Sequence, residues 1–234
     1  MVVAATFALG GEFASWRRLR PFRRSGDGSV PAYETRVGGV RLRVVLTGIG
    51  QRAATAAVAT AFQDRPDLCI ASGLAGGLNE ALRVADVFAA GSVRDRERCR
   101  IDSDPRLLAL AVRRGATAVD MYSSPIVVVS AEQKRRMSVV ADAVDMESMA
   151  ILAESCRLGI PCVAIRAISD PATVDVPLDL NLTLTDEGRF SPFRMIAALA
   201  RRPHALPGLV RLGFDGRRAA AALAAFLDAY VEQL

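Results

Sequence analysis

Short apolar runs, several of them closed by glycine or an acid and separated by helix-like stretches, constrain this chain more than any other feature. Val2 to Leu9, Leu42 to Thr47, Asp67 to Ser72, Asp86 to Ser92, Ile126 to Val129 and Cys162 to Ile168 read as strands. Most of them are apolar throughout rather than alternating, as strands covered on both faces must be. Between them, Gln51 to Phe62, Pro105 to Arg114, Asp145 to Leu158 and Pro192 to Arg201 read as helices, and an alanine-rich closing helix runs from Asp215. Gly159 and Pro161 stop the third of these. Residues 19–39 read as a loop with a hairpin arm, and 171–190 as a loop. The alternation predicts an α/β fold, three αβα layers around a central, mostly parallel (mixed) sheet. A chain of 234 residues, 51% hydrophobic, can bury one sizeable core. One domain over residues 1–234 is expected, with a C-terminal helical extension from about residue 190.

Several function classes drop out. No run of about 18 uncharged apolar residues is present, so a spanning helix is not expected. The opening run Met1 to Leu9 has no basic residues ahead of it, and Glu12 and arginines follow it, so it reads as a buried strand and not a signal core. Four cysteines without paired spacing and a single histidine, His204, argue against a metal site. Cys69 and Cys162 sit inside apolar runs as small hydrophobes, which fits a reducing cytoplasm. The net charge of +5 is concentrated in Arg17, Arg18, Arg20, Arg23 and Arg24, and in Arg201, Arg202, Arg211, Arg217 and Arg218. These are either a solvated surface or an attraction to an anionic membrane leaflet. Without an aromatic stacking ladder, nucleic acid is not an expected partner.

The unusual residues share one kind of place. Glu12, Gly48-Ile49-Gly50, Gly73 to Gly77 and Ser169-Asp170 each lie just past the carboxyl end of a predicted strand. In α/β sheets those ends share an edge where ligands bind, so residues distant in sequence should meet in one pocket. Gly48-Ile49-Gly50 could bring backbone N–H groups close to an anion or a ribose. It lacks the third glycine and acidic partner of a dinucleotide fingerprint, and no cofactor is expected. Gly73 to Gly77 reads as a loop packed against a flat ligand or another segment. Asp145 and Glu147 are either the N-cap and first turn of a helix or, for Glu147, a carboxylate aimed at a sugar diol above Met146. Asp170 either caps the turn before Pro171 or donates a proton, and the second role needs a desolvated setting.

Together these segments resemble the purine nucleoside phosphorylase and nucleosidase superfamily, especially its methylthioadenosine/adenosylhomocysteine nucleosidase branch. The matching stretches are Thr47 to Gly50 with the following helix, Ser72 to Leu78 with Leu82 to Val87, Val144 to Ala153 and Pro161 to Asp170, in family order. The resemblance implies cleavage of the N-glycosidic bond of an adenosyl-type purine nucleoside by a homo-oligomer, through an oxocarbenium-like ribosyl transition state. It carries Glu147 over as the residue holding the ribose hydroxyls and Met146 as the ribose floor. Asp170 matches the acid facing purine N7, and Glu12 the glutamate that activates water. Ser169, Gly73, Leu74 and Ala75 complete the expected binding surface.

The departures matter as much. Where family phosphorylases place an arginine and a serine on phosphate, this chain has Ala71 and Leu74, so water is favoured over phosphate as nucleophile. Phosphorolysis on the same scaffold and a nucleoside-binding protein without turnover remain the alternatives. The family's base-stacking aromatic is missing from Val127 to Ala131. Gly73 to Leu78 and the tail from Ala200 to Arg211 further resemble the hopanoid-associated phosphorylase group, which is linked to converting adenosylhopane to ribosylhopane. A lipid substrate would give the arginines a purpose, as peripheral contacts at the inner membrane surface.

Overall fold

The structure, a computed structural model, describes residues 1–25, 30–183, 185 and 191–234. Parts of the expected arm (26–29) and loop (184, 186–190) lie outside the described residues. In chain order the elements are β1 (Val2–Phe7), α1 (Gly10–Leu19), β2 (Arg23–Ser25), β3 (Ala32–Val37), β4 (Val40–Leu46), α2 (Gln51–Ala61), β5 (Leu68–Gly77) and β6 (Val87–Arg94). There follow β7 (Arg100–Asp102), α3 (Pro105–Arg113), β8 (Thr117–Ser123), α4 (Ala131–Met137), β9 (Ala143–Asp145), α5 (Ser148–Leu158), β10 (Cys162–Asp170), α6 (Pro192–Arg201) and α7 (Leu206–Val231).

Strands β4, β1, β5 and β10 lie side by side and parallel. β3 and β2 extend the sheet beyond β4 as an antiparallel pair. On the other side β10 runs antiparallel to β6, and β8 and β9 lead back to β5, so this half of the sheet curls onto itself. Successive side chains point to opposite faces. Val3, Ala5, Phe7, Ile70, Val163 and Ile165 pack with Phe13 and Trp16 of α1, Leu107 of α3, and Leu223 and Leu227 of α7. Ala4, Cys69, Ala71, Ala164 and Ile168 face the other way, onto Ala54 and Val58 of α2 and Ile151 and Leu152 of α5. Two buried faces make the three expected layers, and each large aliphatic side chain so buried contributes about 1.5–3 kcal/mol.

Several local expectations are corrected. Gly73 to Gly77 is not a loop: β5 continues through it, paired with β10 and then β9. Gly73 has φ +141°, and a Cβ there would stand 2.6 Å from Arg166 Nη1 and 3.2 Å from Glu12 Oε2. The glycine keeps the strand while leaving room for buried charge beside it. Ile126 to Val129 is not a strand either; β8 lies just before it. The amide of Asn181 takes the place of a neighbouring strand, accepting from Val127 N at 2.7 Å and donating to Val127 O at 3.0 Å. α1 and α4 were not foreseen. α7 begins at Leu206 and not at Asp215, because Pro207 suits a first helical turn. Gly208 and Gly216 are tolerated inside α7 by close packing, with a Cβ at Gly208 coming 2.8 Å from Pro177 and one at Gly216 3.8 Å from Leu74. Among the described residues, no helix is long and apolar enough to cross a membrane.

Candidate active site

The parallel order of β4, β1, β5 and β10 brings their carboxyl ends to one rim. There a cavity of about 470 Å³ opens, inside the range of roughly 300–1,000 Å³ common for small-molecule sites. Glu12, Leu74, Ala75, Met146, Glu147, Ser169 and Asp170 all line it. Gly73 does not; it sits behind the lining, where it accommodates Arg166 and Glu12. Val127 and Val128 are on the wall, and among the described residues no aromatic side chain lines the cavity.

Glu12 stands in the first turn of α1. Its Oε2 accepts from Ala8 N at 3.1 Å and Leu9 N at 3.2 Å, and its Oε1 accepts from Leu74 N at 3.4 Å. Burial pushes its carboxyl above the ordinary range, against the opposing pull of the Arg166 guanidinium and these N–H groups.

Glu147 is the N-cap residue of α5, yet its side chain does not cap that helix. Asp145, the last residue of β9, does so from upstream, its Oδ2 accepting from Ser148 N at 2.8 Å and Glu147 N at 3.3 Å. Glu147 is thereby free to turn toward β4, where Oε1 accepts from Gly50 N at 2.7 Å. The N–H offered by Gly48-Ile49-Gly50 thus holds this protein's own carboxylate. Gly50 can present it because its φ is +87°, a left-handed conformation that glycine adopts freely. Burial first, then the Asp145 carboxylate, push Glu147 up to about 8.

Arg166 balances these acids and was overlooked as a site residue. It is 1% exposed, and its Nη2 lies 2.5 Å from Asp145 Oδ2 and 2.9 Å from Ser148 Oγ, with Nη1 3.7 Å from Glu147 Oε2. An arginine inside an otherwise apolar buried strand was a readable signal, since such a charge is almost never fully buried without a partner. Three carboxylates around one guanidinium leave negative charge in excess, in line with the raised Glu147 carboxyl. Arg166 Nε and Asp145 Oδ1 have no hydrogen-bond partner.

Asp170 ends β10. Its Oδ1 accepts from Ser169 Oγ at 2.6 Å and its Oδ2 from Lys134 Nζ at 2.6 Å. Lys134 was not singled out, because its neighbours Glu132, Gln133, Arg135 and Arg136 give it the look of a solvated helix face. The arrangement brings three carboxyl side chains, Glu12, Glu147 and Asp170, to one cavity.

Residues 3–192 match the sequence profile described as the phosphorylase superfamily. The chain belongs to that superfamily. A 5′-methylthioadenosine/S-adenosylhomocysteine nucleosidase from Shewanella halifaxensis (strain HAW-EB4) is 24% identical over 185 residues, covering 67% of this chain and 80% of that one. The fold of this superfamily member is also similar to a solved nucleosidase of the same description from Neisseria meningitidis in complex with methylthio-immucillin-A. That likeness has a TM-score of 0.76 and 24% identity, over 100% of this chain and 99% of the other. The native futalosine hydrolase of Helicobacter pylori superimposes with a TM-score of 0.75 at 19% identity, over 100% of this chain and 98% of its own.

Proposed function

We propose that this protein hydrolyses the N-glycosidic bond of an adenosyl-type purine nucleoside. The observation that carries the reading is that Glu12, Glu147 and Asp170, distant in sequence, line a single cavity. Glu147 takes the ribose hydroxyls above Met146, while Leu74, Ala75 and Ser169 form the wall beside the base. Asp170 protonates N7 as the C1′–N9 electron pair leaves with the base. Glu12 accepts the proton of the water that attacks C1′. The 5′-methylthioadenosine/S-adenosylhomocysteine nucleosidases among its relatives agree with this reading.

Two observations favour water over phosphate. Among the described lining residues there is no lysine or arginine, and Arg166 behind them is already matched to Asp145 and Glu147. The N–H groups of Ala8, Leu9 and Leu74 are already taken by the Glu12 carboxylate. The test measures adenine release from adenosine, 5′-methylthioadenosine and 5′-alkyl adenosines, with and without phosphate. Free ribose products are expected, and Asp170→Asn and Glu12→Gln should each lose about a hundredfold or more. A strict need for phosphate, with ribose-1-phosphate formed, would establish phosphorolysis instead. Specific binding without any release would leave only a nucleoside-binding protein.

The cavity's outer wall supports an apolar 5′ substituent, as in adenosylhopane. Met195 of α6 and Leu209 and Leu212 of α7 line it there. The same helices expose Phe193 (84%), Ile196, Leu206, Val210 and Phe214, beside exposed Arg201, Arg202, Arg211, Arg217 and Arg218. Apolar side chains ringed by arginine suit the surface of an anionic bilayer. Both arginine clusters have partners of their own. Arg20 pairs with Asp228 and Glu232 and Arg17 lies over the Tyr33 ring, while Arg211 and Arg218 flank Asp215 and Arg217 lies over Phe214. Salt-sensitive co-sedimentation with anionic liposomes, together with faster cleavage of long 5′-alkyl adenosines, is expected. Burial of this face in a homo-oligomer, without liposome binding, would count against it.

A further inference from the structure

Lys134 is fully buried in α4, among groups that the hydrolytic reading leaves unused. Its Nζ lies 2.6 Å from Asp170 Oδ2, 2.8 Å from Pro171 O and 3.1 Å from Val174 O. The three protons of an ammonium therefore meet three acceptors. Anchoring α4 to the segment after β10 accounts for the two carbonyls. It does not account for the shortest contact, a charge-assisted hydrogen bond to the one carboxylate placed to meet the base. The surroundings are shaped for this pair, because a Cβ on Gly76 would stand 3.2 Å from Asp170 Oδ2. The proton nearest to Oδ2 is one carried by Lys134.

We propose that Lys134 and Asp170 act as one acid, with Lys134 the source of the proton that Asp170 passes to the leaving base. The proposal rests on the hydrolytic reading above. As the C1′–N9 bond breaks, its electron pair goes to the base. A proton moves from Nζ onto the Asp170 carboxylate and from the carboxylate to N7. Lys134 is left as a neutral amine and Asp170 as a carboxylate. The ribosyl cation is quenched by water, whose proton passes to Glu12 and then to solvent. Once the base departs, Asp170, with its side chain 17% exposed, returns a proton from water to Lys134. Lys134 is absent from the cavity lining and works only through Asp170, as a positioning residue and proton reservoir.

The experiment compares unaltered protein, Lys134→Met and Lys134→Arg on the best adenosine nucleoside of the panel and on its N7-methyl form, whose base leaves without a proton. With the first substrate, kcat of Lys134→Met should fall about a hundredfold or more while KM stays within about threefold. Arginine keeps the cation but cannot give up a proton, so Lys134→Arg should be equally slow. Both variants should cleave the N7-methyl nucleoside within about fivefold of the unaltered protein. Restoration of the rate by arginine, or equal losses on both nucleosides, would reduce Lys134 to an electrostatic or structural clamp and overturn the proposal. In the unaltered protein, kcat in mixtures of H2O and D2O should follow a curve that reports two protons in flight. A straight line overturns the proposal too, even if neither variant folds. If the unaltered protein releases no adenine from any nucleoside, the hydrolytic reading itself fails, and this proposal with it.

Discussion

The rim of the sheet and the α6–α7 arm form two walls of one cavity and are built on opposite principles. At the rim, Glu147 and Arg166 are buried and held by named partners, and Glu12 is anchored by three N–H groups. On the arm, α6 has no buried residue at all, and large apolar side chains stand in solvent. The first wall is pre-organised for charge, which is where fixed dipoles and ions act most strongly on a reaction. In the second, α7 is seated in the core through Leu223 and Leu227, whereas α6 buries no residue, which suits a surface that meets a variable or greasy group.

The sharpest way to break that contrast is Arg166→Met. It strips the counter-charge from buried acids and should cost about 3–5 kcal/mol of stability in urea denaturation, with loss of turnover; a near-neutral result would show the rim is not charge-balanced as described. Gly73→Ala forces a Cβ against Arg166 at a φ hostile to alanine, and should cost about 1–3 kcal/mol in the same assay. A further effect is set by pH. A carboxyl raised by folding stabilises the protein while protonated, and that contribution is lost as pH climbs from the ordinary carboxyl range toward the raised value. Because burial holds Glu147 up to about 8, the empty protein should lose stability over this interval and level off above it. Glu147→Gln should flatten the profile in thermal melts; an unchanged slope would assign it to another group. Smallest of all, Phe193→Ser with Ile196→Ser should move stability by no more than about 0.5 kcal/mol. Liposome binding and the preference for long 5′ groups should nonetheless disappear, and their survival would remove the arm from substrate recognition.

Much of the rim was legible because its signals are local. A glycine or an acid after an apolar run marks a strand end, and strand ends in a parallel sheet meet. Glu12 and Asp170 are legible that way; Met146 and Glu147 stand at the start of a predicted helix and enter the site through the superfamily resemblance of Val144 to Ala153. The arm's helix α6 was legible too, expected from Pro192 to Arg201 and found there; the structure adds the Ser191 cap, Oγ accepting from Arg194 N at 3.4 Å. What escaped was fixed by distant partners. Val127 lacks a strand because Asn181 supplies its hydrogen bonds, and no reading of residues 126–129 contains residue 181. Lys134 looks like its exposed neighbours, and only the return of β10 beside α4 converts it into a buried partner of Asp170. Gly73 looked like ligand contact, whereas its lack of a side chain serves Arg166.

The sequence alone determined the layers, because burial on both faces demands strands apolar throughout and helices with one apolar side. It also determined which residue types crowd the sheet's edge. Only the tertiary structure decided which charges pair, because ion pairing depends on separations of a few ångströms between segments distant in sequence, 36 residues for Lys134 and Asp170 and 208 for Arg20 and Asp228. A linear pattern records hydrophobicity at each position; it does not record distance.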